Sequence, residues 1–359
     1  MEAYRYFPRG NDQRTKGQRF VYHGNTPFEE DEEEKYRNLE KFLRQNRARW
    51  ESVPLDYFDK AEIMKIFWAV KFDMEETLNS MVAYHKWRLE SLPIQPEDKG
   101  VLYLEKGFGQ IYGRDYKFRP CIIMNFGALA EEIRTKTLDT NALANCMLLL
   151  QEYAINNMFL PGQIENWVII VDIAGQGLSS LPRNELKGLA GIWNANYRSR
   201  MGRTWILNVT WGVKVLWKVF TAFMDPLTVE KIHLTDKNTH SDLNEYFHPE
   251  QLLERYGGTG KEPLSKWPPV VAPVRCDKPE SKLVSEQEYL QILEKRPMLR
   301  RRPDLWSEGG DPLNQPVLFN GYPNPNYVKP MFEPGQGLRM PRMSMAGETV
   351  YEDCYDEPR

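Results

Sequence analysis

Apolar positions between residues 74 and 89 recur at helical spacing. Met74, Leu78, Met81, Val82, His85 and Leu89 form one stripe that stops at Pro93. Asp73 followed by Glu76 is a capping-box signature for the start of that helix. The pattern stays helical from about Tyr36 to Leu92, which predicts a small all-helical unit needing another layer to bury its stripe. His85 lies on the stripe and reads as a core histidine rather than a ligand. Between about Gly100 and Gly258 the period alternates between strand and helix, the signature of an α/β layer structure. Short β-branched or aromatic runs predict strands at 120–126, 166–172, 203–209 and 231–235. Three of these are nearly continuously apolar, as expected for strands covered on both faces. Helices are expected between them at 139–159, 184–198 and 213–224; the first has Asp139 as cap and Leu143, Met147, Leu150, Ala154 and Met158 as its buried stripe.

The ends read differently. Residues 1–34 are Gly/Asn/Arg-rich and close on the acidic block EEDEEE (29–34), a composition that predicts an irregular, solvated extension. After Gly260 the run KEPLSKWPPVVAPVRCDKP is a proline-rich linker that cannot continue a sheet. A short acidic helix is expected around Ser285–Lys295. The remainder, from the basic cluster Arg300–Arg302 to Arg359, carries no core of its own. The expected organisation is therefore an extension over 1–34, a helical subdomain over 35–95, an α/β domain over 96–260, and a linker with tail over 261–359.

Composition narrows the function classes. With 41% hydrophobic and 12% aromatic residues there is ample material for a core. The longest purely apolar runs, 146–150 and 167–171, fall far short of the roughly 20 residues a spanning helix needs. The first residues lack a secretory apolar stretch and a clean amphipathic transit helix, so a cytosolic or otherwise reducing compartment is expected. Cys121, Cys146, Cys276 and Cys354 are too few and too dispersed for a disulfide framework or a metal site. Lys and Arg (47) nearly balance Asp and Glu (50), giving a net charge of −3 and no bulk attraction to nucleic acid, so any anion site must be local.

Enzymatic signatures are weak. GGTGKE (257–262) lacks the first glycine and the Ser/Thr of a phosphate-binding loop, and Gly257 and Gly258 read as a helix C-cap. GQG (175–177) lacks the third glycine of a dinucleotide fingerprint and reads as a tight turn. There is no Gly-x-Ser-x-Gly elbow and no His-Glu-x-x-His pair, and the five histidines lack metal-ligand spacing. Asp172 at a strand end is a turn or cap residue before it is a general base. Binding without catalysis, and without metal or cofactor, is the expectation.

Residues 210–235 carry the most information. Val213, Leu216, Val219, Phe220, Phe223 and Met224 form a wide apolar face, with Lys214 and Lys218 opposite. This suits either a core helix or a movable helix that closes an apolar cavity and meets a membrane, with Trp211 and Trp217 at the interface. Pro226 then suits the first turn of a new helix capped by Asp225. Thr228 and Lys231, three apart, share a face, so a hydroxyl and an ammonium could converge on a phosphate, or Lys231 could simply be solvated.

Six segments in order carry a family resemblance: KFD with the later WR (Lys71–Asp73, Trp87, Arg88), RPCIIMNFG (119–127), VDIAGQGLSS (171–180), RMGRTWILNVTWG (200–212), MDPLTVEKI (224–232) and LLERYGG (252–258). From about Tyr36 to Gly260 the chain resembles the CRAL-TRIO lipid-binding family, yeast-type phosphatidylinositol/phosphatidylcholine transfer proteins included. The resemblance implies a helical subdomain followed by a mixed α/β sheet that floors a lipid cavity, with a gate helix at about 211–224. It implies a phosphate held by Thr228, Lys231 and Arg200, supported by Asp115 and Lys71, and a tunnel lined by Ile122, Met124, Ile170, Val219, Phe220 and Phe223. Departures accompany it. Ser199 stands where phosphoinositide binders carry Glu, Val70 where they carry Arg, and Trp167, Ile169 and Ile122 replace the hydroxyl-bearing residues of choline-lipid binders. A phospholipid carrier that meets the membrane transiently is the first expectation. A structural adaptor that binds protein partners through its N- and C-terminal extensions is the second.

Overall fold

The computed structural model describes residues 28–55, 57–92, 98–159, 164–176, 183–221, 226–236 and 241–263, with 6–7, 14–15, 18–22, 94, 266–267, 269 and two-residue strand pieces at 282–283, 342–343 and 349–350. Within the helices, side chains at 156–157, 183–184, 216, 218–220 and 241 also fall outside this description, as do those of the short strand pieces other than Arg19.

Three helices form the first layer: α1 (Glu30–Gln45), α2 (Lys60–Ala69) and α3 (Met74–Ser91). The acidic block is not irregular, as its composition suggested. It is the first turn of α1, where Glu29 and Glu32 close a capping box and carboxylates meet the positive end of the helix dipole. Asp73 caps α3 as expected, accepting from the Glu76 N–H at 2.9 Å. Of the predicted stripe, Leu78, Met81 and His85 are buried, whereas Met74 and Leu89 at its ends are exposed. Lys71 and Phe72, in the turn between α2 and α3, both have positive φ (57° and 65°), a strained conformation for non-glycine residues. Phe72 is held there by its edge contact with Phe67 and its amide bond to the Phe67 carbonyl.

The second unit contains a five-stranded sheet in sequence order: β1 (Gly109–Arg114), β2 (Pro120–Asn125), β3 (Trp167–Asp172), β4 (Met201–Leu207) and β5 (Ile232–Leu234). β1 is antiparallel to β2, and the rest are parallel. Sequence periodicity located β2 to β5 and missed β1, whose GQIYGR has two glycines. Gly109 admits Leu150 and Cys146 at its face, and Gly113, at φ 69°, lies against the Gln251 carbonyl. The helices are α4 (Lys99–Glu105), α5 (Ala130–Thr135), α6 (Thr140–Asn157), α7 (Arg183–Asn196), α8 (Trp211–Thr221), α9 (Pro226–Val229) and α10 (Ser241–Asn244). Asp139 caps α6 through the amides of Asn141 and Ala142. Gly257, at φ 88°, caps the turn Glu254–Tyr256.

Both faces of the sheet are covered. Ile111, Ile122, Met124, Trp167 and Ile169 pack with the stripe of α6. Cys121, Ile123, Val168, Ile170, Trp205 and Leu207 pack with Leu243, Phe247, Leu252 and Tyr256. Ile170 therefore cannot line a tunnel with Ile122 and Met124: alternation along β3 turns it to the opposite face. The two units are tied through Arg88 of α3, which makes buried bonds to Glu152 of α6 (2.9 and 3.3 Å), while the Tyr197 hydroxyl donates to the same carboxylate at 2.7 Å. Among the described residues no helix is long and apolar enough to cross a membrane. Phe223, Met224, Asp225, the helix expected at Ser285–Lys295 and the Arg300–Arg302 cluster lie outside the described residues.

His85 is buried edge-on to Tyr57 at 4.5 Å, and burial lowers its pKa, as it does that of His233. Both fold as neutral imidazoles. Below the unfolded value of about 6.5 the unfolded chain takes up more protons than the fold, so stability present above that pH is lost as the pH falls through it. The urea midpoint should drop between about pH 7 and pH 5.5, and less in His85→Gln; a midpoint independent of pH excludes this origin.

Candidate functional site

Parallel strands bring their first residues to one edge. Trp167 N–H donates to the Arg200 carbonyl and Thr204 N–H to the Lys231 carbonyl, so Trp167, Arg200 and Lys231 stand at the starts of β3, β4 and β5. Lys231 reaches the residue after Arg200, its ammonium donating to the Met201 carbonyl at 3.1 Å. Thr228 is partly exposed in the preceding turn, its carbonyl accepting from the Lys231 N–H. The three residues named from the resemblance thus stand on neighbouring elements along this edge.

Arg200 is buried and carries a guanidinium in a nearly dry place. Its Nη2 pairs with Glu62 at 2.9 Å, and its plane lies over the Phe159 ring at 5.3 Å. Phe159 stacks on Trp167, centroids 5.6 Å apart and planes 28° apart. Glu62 also pairs with Lys65 at 2.8 Å, and Lys65 with Glu165 at 3.1 Å. Two cations and two anions thus alternate in one buried chain, the arrangement that makes burial of charge tolerable. The carboxylate facing Arg200 comes from α2 of the helical subdomain. The preceding residue, Ser199, instead bonds the Tyr22 hydroxyl at 3.2 Å.

The N-terminal segment enters here, which its composition did not foretell. Arg19, Val21 and Tyr22 are buried. Arg19 pairs with Glu32 at 2.5 Å, the Tyr22 N–H donates to Glu165 at 3.1 Å, and the Lys231 ammonium lies 5.5 Å from the Phe20 ring centroid. Burial raises the Tyr22 phenol pKa, so it stays a neutral donor. Beside the network a cleft lined by Phe58, Glu62, Lys65, Tyr84, Arg198 and Arg200 has a volume of about 20 Å³, room for roughly one water.

Two supporting residues do not join the trio. Asp115 is buried, but its carboxylate is engaged by Arg119 (2.6 and 2.7 Å) and by the amides of Lys117 and Arg119, which makes it the lock of the β1–β2 turn. Lys71 is exposed in the turn between α2 and α3. Of the tunnel residues, Ile122 and Met124 are buried on the α6 face, whereas the side chains of Val219 and Phe220 and the whole of Phe223 lie outside the described residues. Glu62, Lys65 and Glu165 were missed. The available signal was the pair of charges at core positions of KAEIMKIF, spaced to share a face.

Residues 104–258 match the family model of the CRAL/TRIO domain. Over this stretch the chain is similar to the CRAL/TRIO family. That match begins at the end of α4, so the three-helix layer and the segment around Tyr22 precede the matched stretch. The chain is 26% identical to the Sec14 cytosolic factor of Schizosaccharomyces pombe over 214 residues, 56% of this chain and 74% of that protein. It is 24% identical to the phosphatidylinositol/phosphatidylcholine transfer protein SFH12 of Arabidopsis thaliana over 234 residues, 60% of this chain but 42% of that protein. The crystal structure of Sfh5 superposes with a TM-score of 0.51 over 76% of this chain and 99% of that one, at 16% identity, a likeness of fold.

Glu62→Ala leaves Arg200 and Lys65 buried with one carboxylate between them. It should lower unfolding free energy by about 3–5 kcal/mol, read from urea denaturation; a loss below about 1 kcal/mol would show that the network is not a structural support.

Proposed function

We propose that this chain binds a phospholipid, an inositol lipid or another anionic one, and carries it between membranes without covalent chemistry. The observation that carries this reading is the placement of Arg200 and Lys231 at neighbouring strand starts in the stretch that matches the CRAL/TRIO family model, with Thr228 in the turn before. A phosphate there would receive charge-assisted hydrogen bonds, among the stronger ones available. The names of the relatives, a Sec14 factor and a phosphatidylinositol/phosphatidylcholine transfer protein, support lipid as the ligand class. Acyl chains leaving a bilayer forgo roughly 0.8 kcal/mol per methylene, so they need an apolar lining. The face bearing Ile122 and Met124 is the candidate floor and α8 the candidate gate. Trp167 and Ile169, buried on that same face, offer no hydroxyl to a choline head group and argue for an anionic lipid. The adaptor reading rests on the depleted head-group pattern and the two extensions; most of the C-terminal extension lies outside the described residues.

α8 also suits a membrane surface. Trp211 (80% exposed) and Val215 (44%) share its outer face, while Val213 is buried on the inner one.

Two measurements test this. Lys231→Ala should reduce capture of labelled phosphatidylinositol from vesicles by about ten- to hundredfold, the loss of one charge-assisted contact worth roughly 1.5–3 kcal/mol; unchanged capture removes the assigned site. Trp211→Ala should weaken co-sedimentation with phosphatidylinositol-containing vesicles about tenfold, and equal sedimentation would rule out this face as the membrane contact.

A further inference from the structure

The cations at the head-group corner already have partners inside the chain, and the N-terminal segment supplies part of them. Arg200 is paired with Glu62, and Lys65 with Glu62 and Glu165. The Lys231 ammonium, bonded to the Met201 carbonyl, has the Phe20 ring beside it at 5.5 Å, and Lys65 has the Tyr22 ring at 5.6 Å. This segment is anchored at two points. Arg19 is locked to Glu32, which also accepts from the Trp68 indole at 2.8 Å. Tyr22 is fixed by its amide to Glu165 and by its hydroxyl to Ser199, the residue before Arg200. Between the anchors Phe20 is only partly buried, and it is the residue that lies against Lys231.

We infer that residues 19–22 are a strap over the head-group corner, and that an inositol-lipid phosphate competes with Phe20 for Lys231. The inference rests on the phospholipid reading above and adds regulation to the same site. A ring face satisfies an ammonium without hydrogen bonds, so it can shield Lys231 and still yield to a phosphate, whose charge-assisted bonds are stronger. The anchors have different roles in this exchange. The Arg19–Glu32 pair joins the strap to α1, away from Lys231, and stays closed. The Tyr22 contacts to Glu165 and Ser199 flank Arg200, so they open when the corner admits a phosphate. The strap therefore swings from Arg19 and is released at Tyr22.

The test uses the full chain and vesicles of phosphatidylcholine carrying labelled phosphatidylinositol, with labelled phosphatidylcholine as a parallel probe. Phe20→Ala should capture about tenfold more phosphatidylinositol than the unaltered chain, as for a site covered about nine-tenths of the time. Phosphatidylcholine capture should not change, and Phe20→Ala combined with Lys231→Ala should lose the gain. Equal phosphatidylinositol capture with and without Phe20 overturns the strap and leaves the phospholipid reading standing; no capture of either lipid by any form overturns both. Hydrogen exchange on the unaltered chain gives a readout independent of substitution. The Tyr22 amide, bonded to Glu165, should exchange faster when phosphatidylinositol vesicles are added, and unchanged protection while that lipid is captured overturns the strap.

Discussion

The buried chain Arg200–Glu62–Lys65–Glu165 is the interaction on which the rest of the structure depends. Each of the four charges is tolerable only because its neighbour is opposite, since an isolated ion in so dry a place would neutralise or draw in water. The chain spans three parts of the sequence. Glu62 and Lys65 belong to the helical subdomain, Glu165 precedes β3, and Arg200 precedes β4. Closing it therefore sets where the helical layer sits on the sheet edge, together with the Arg88–Glu152 pair on the other side of Tyr197. The Tyr22 amide enters through Glu165, so the N-terminal strand is seated by the same charges that orient Arg200.

The sheet explains why these groups lie where they do. Four parallel strands put their first residues along one edge, and this edge collects Trp167, Arg200 and Lys231 without any of them being near in sequence. The same pleat that turns Ile122, Met124 and Ile169 to the α6 face turns Ile170 and Trp205 to the other. A cavity on the first face can use only alternate positions of each strand. Trp167, on that face, is stacked against Phe159, the ring that also lies beside the Arg200 guanidinium.

Strands β2, β3 and β4 were legible in the sequence because burial on both faces leaves a nearly continuous apolar run, and α3 and α6 because Asp73 and Asp139 announce their starts. β1 was not, because Gly109 and Gly113 serve close backbone approach rather than propensity. The acidic block misled for the opposite reason: six like charges suggest solvated coil, but at a helix N-terminus four of them are stabilised by the dipole and Glu32 by Arg19. At the site, short-range spacing placed Thr228 beside Lys231, and the family segments added Arg200. No spacing could place Glu62, 138 residues away, opposite Arg200. Asp115 was named from the family resemblance; in the structure its carboxylate locks a turn through Arg119, a contact four residues away.

The pairing of Arg200 with Glu62 bears on the choice of ligand. A guanidinium that already has a carboxylate partner, a ring beneath it and a carbonyl at 3.4 Å gains less from a phosphate than a free one would. Its carboxylate partner is also shared with Lys65, so drawing Arg200 away would leave Glu62 paired with Lys65. The Lys231 ammonium donates to the Met201 carbonyl and lies beside the Phe20 ring. Recognition at this corner should therefore depend chiefly on Lys231. In the proposed reading Arg200 acts mainly as a fixed positive charge that favours an anionic head group nearby and only secondarily as a direct donor, so the corner attracts an anion while the two halves of the molecule stay joined.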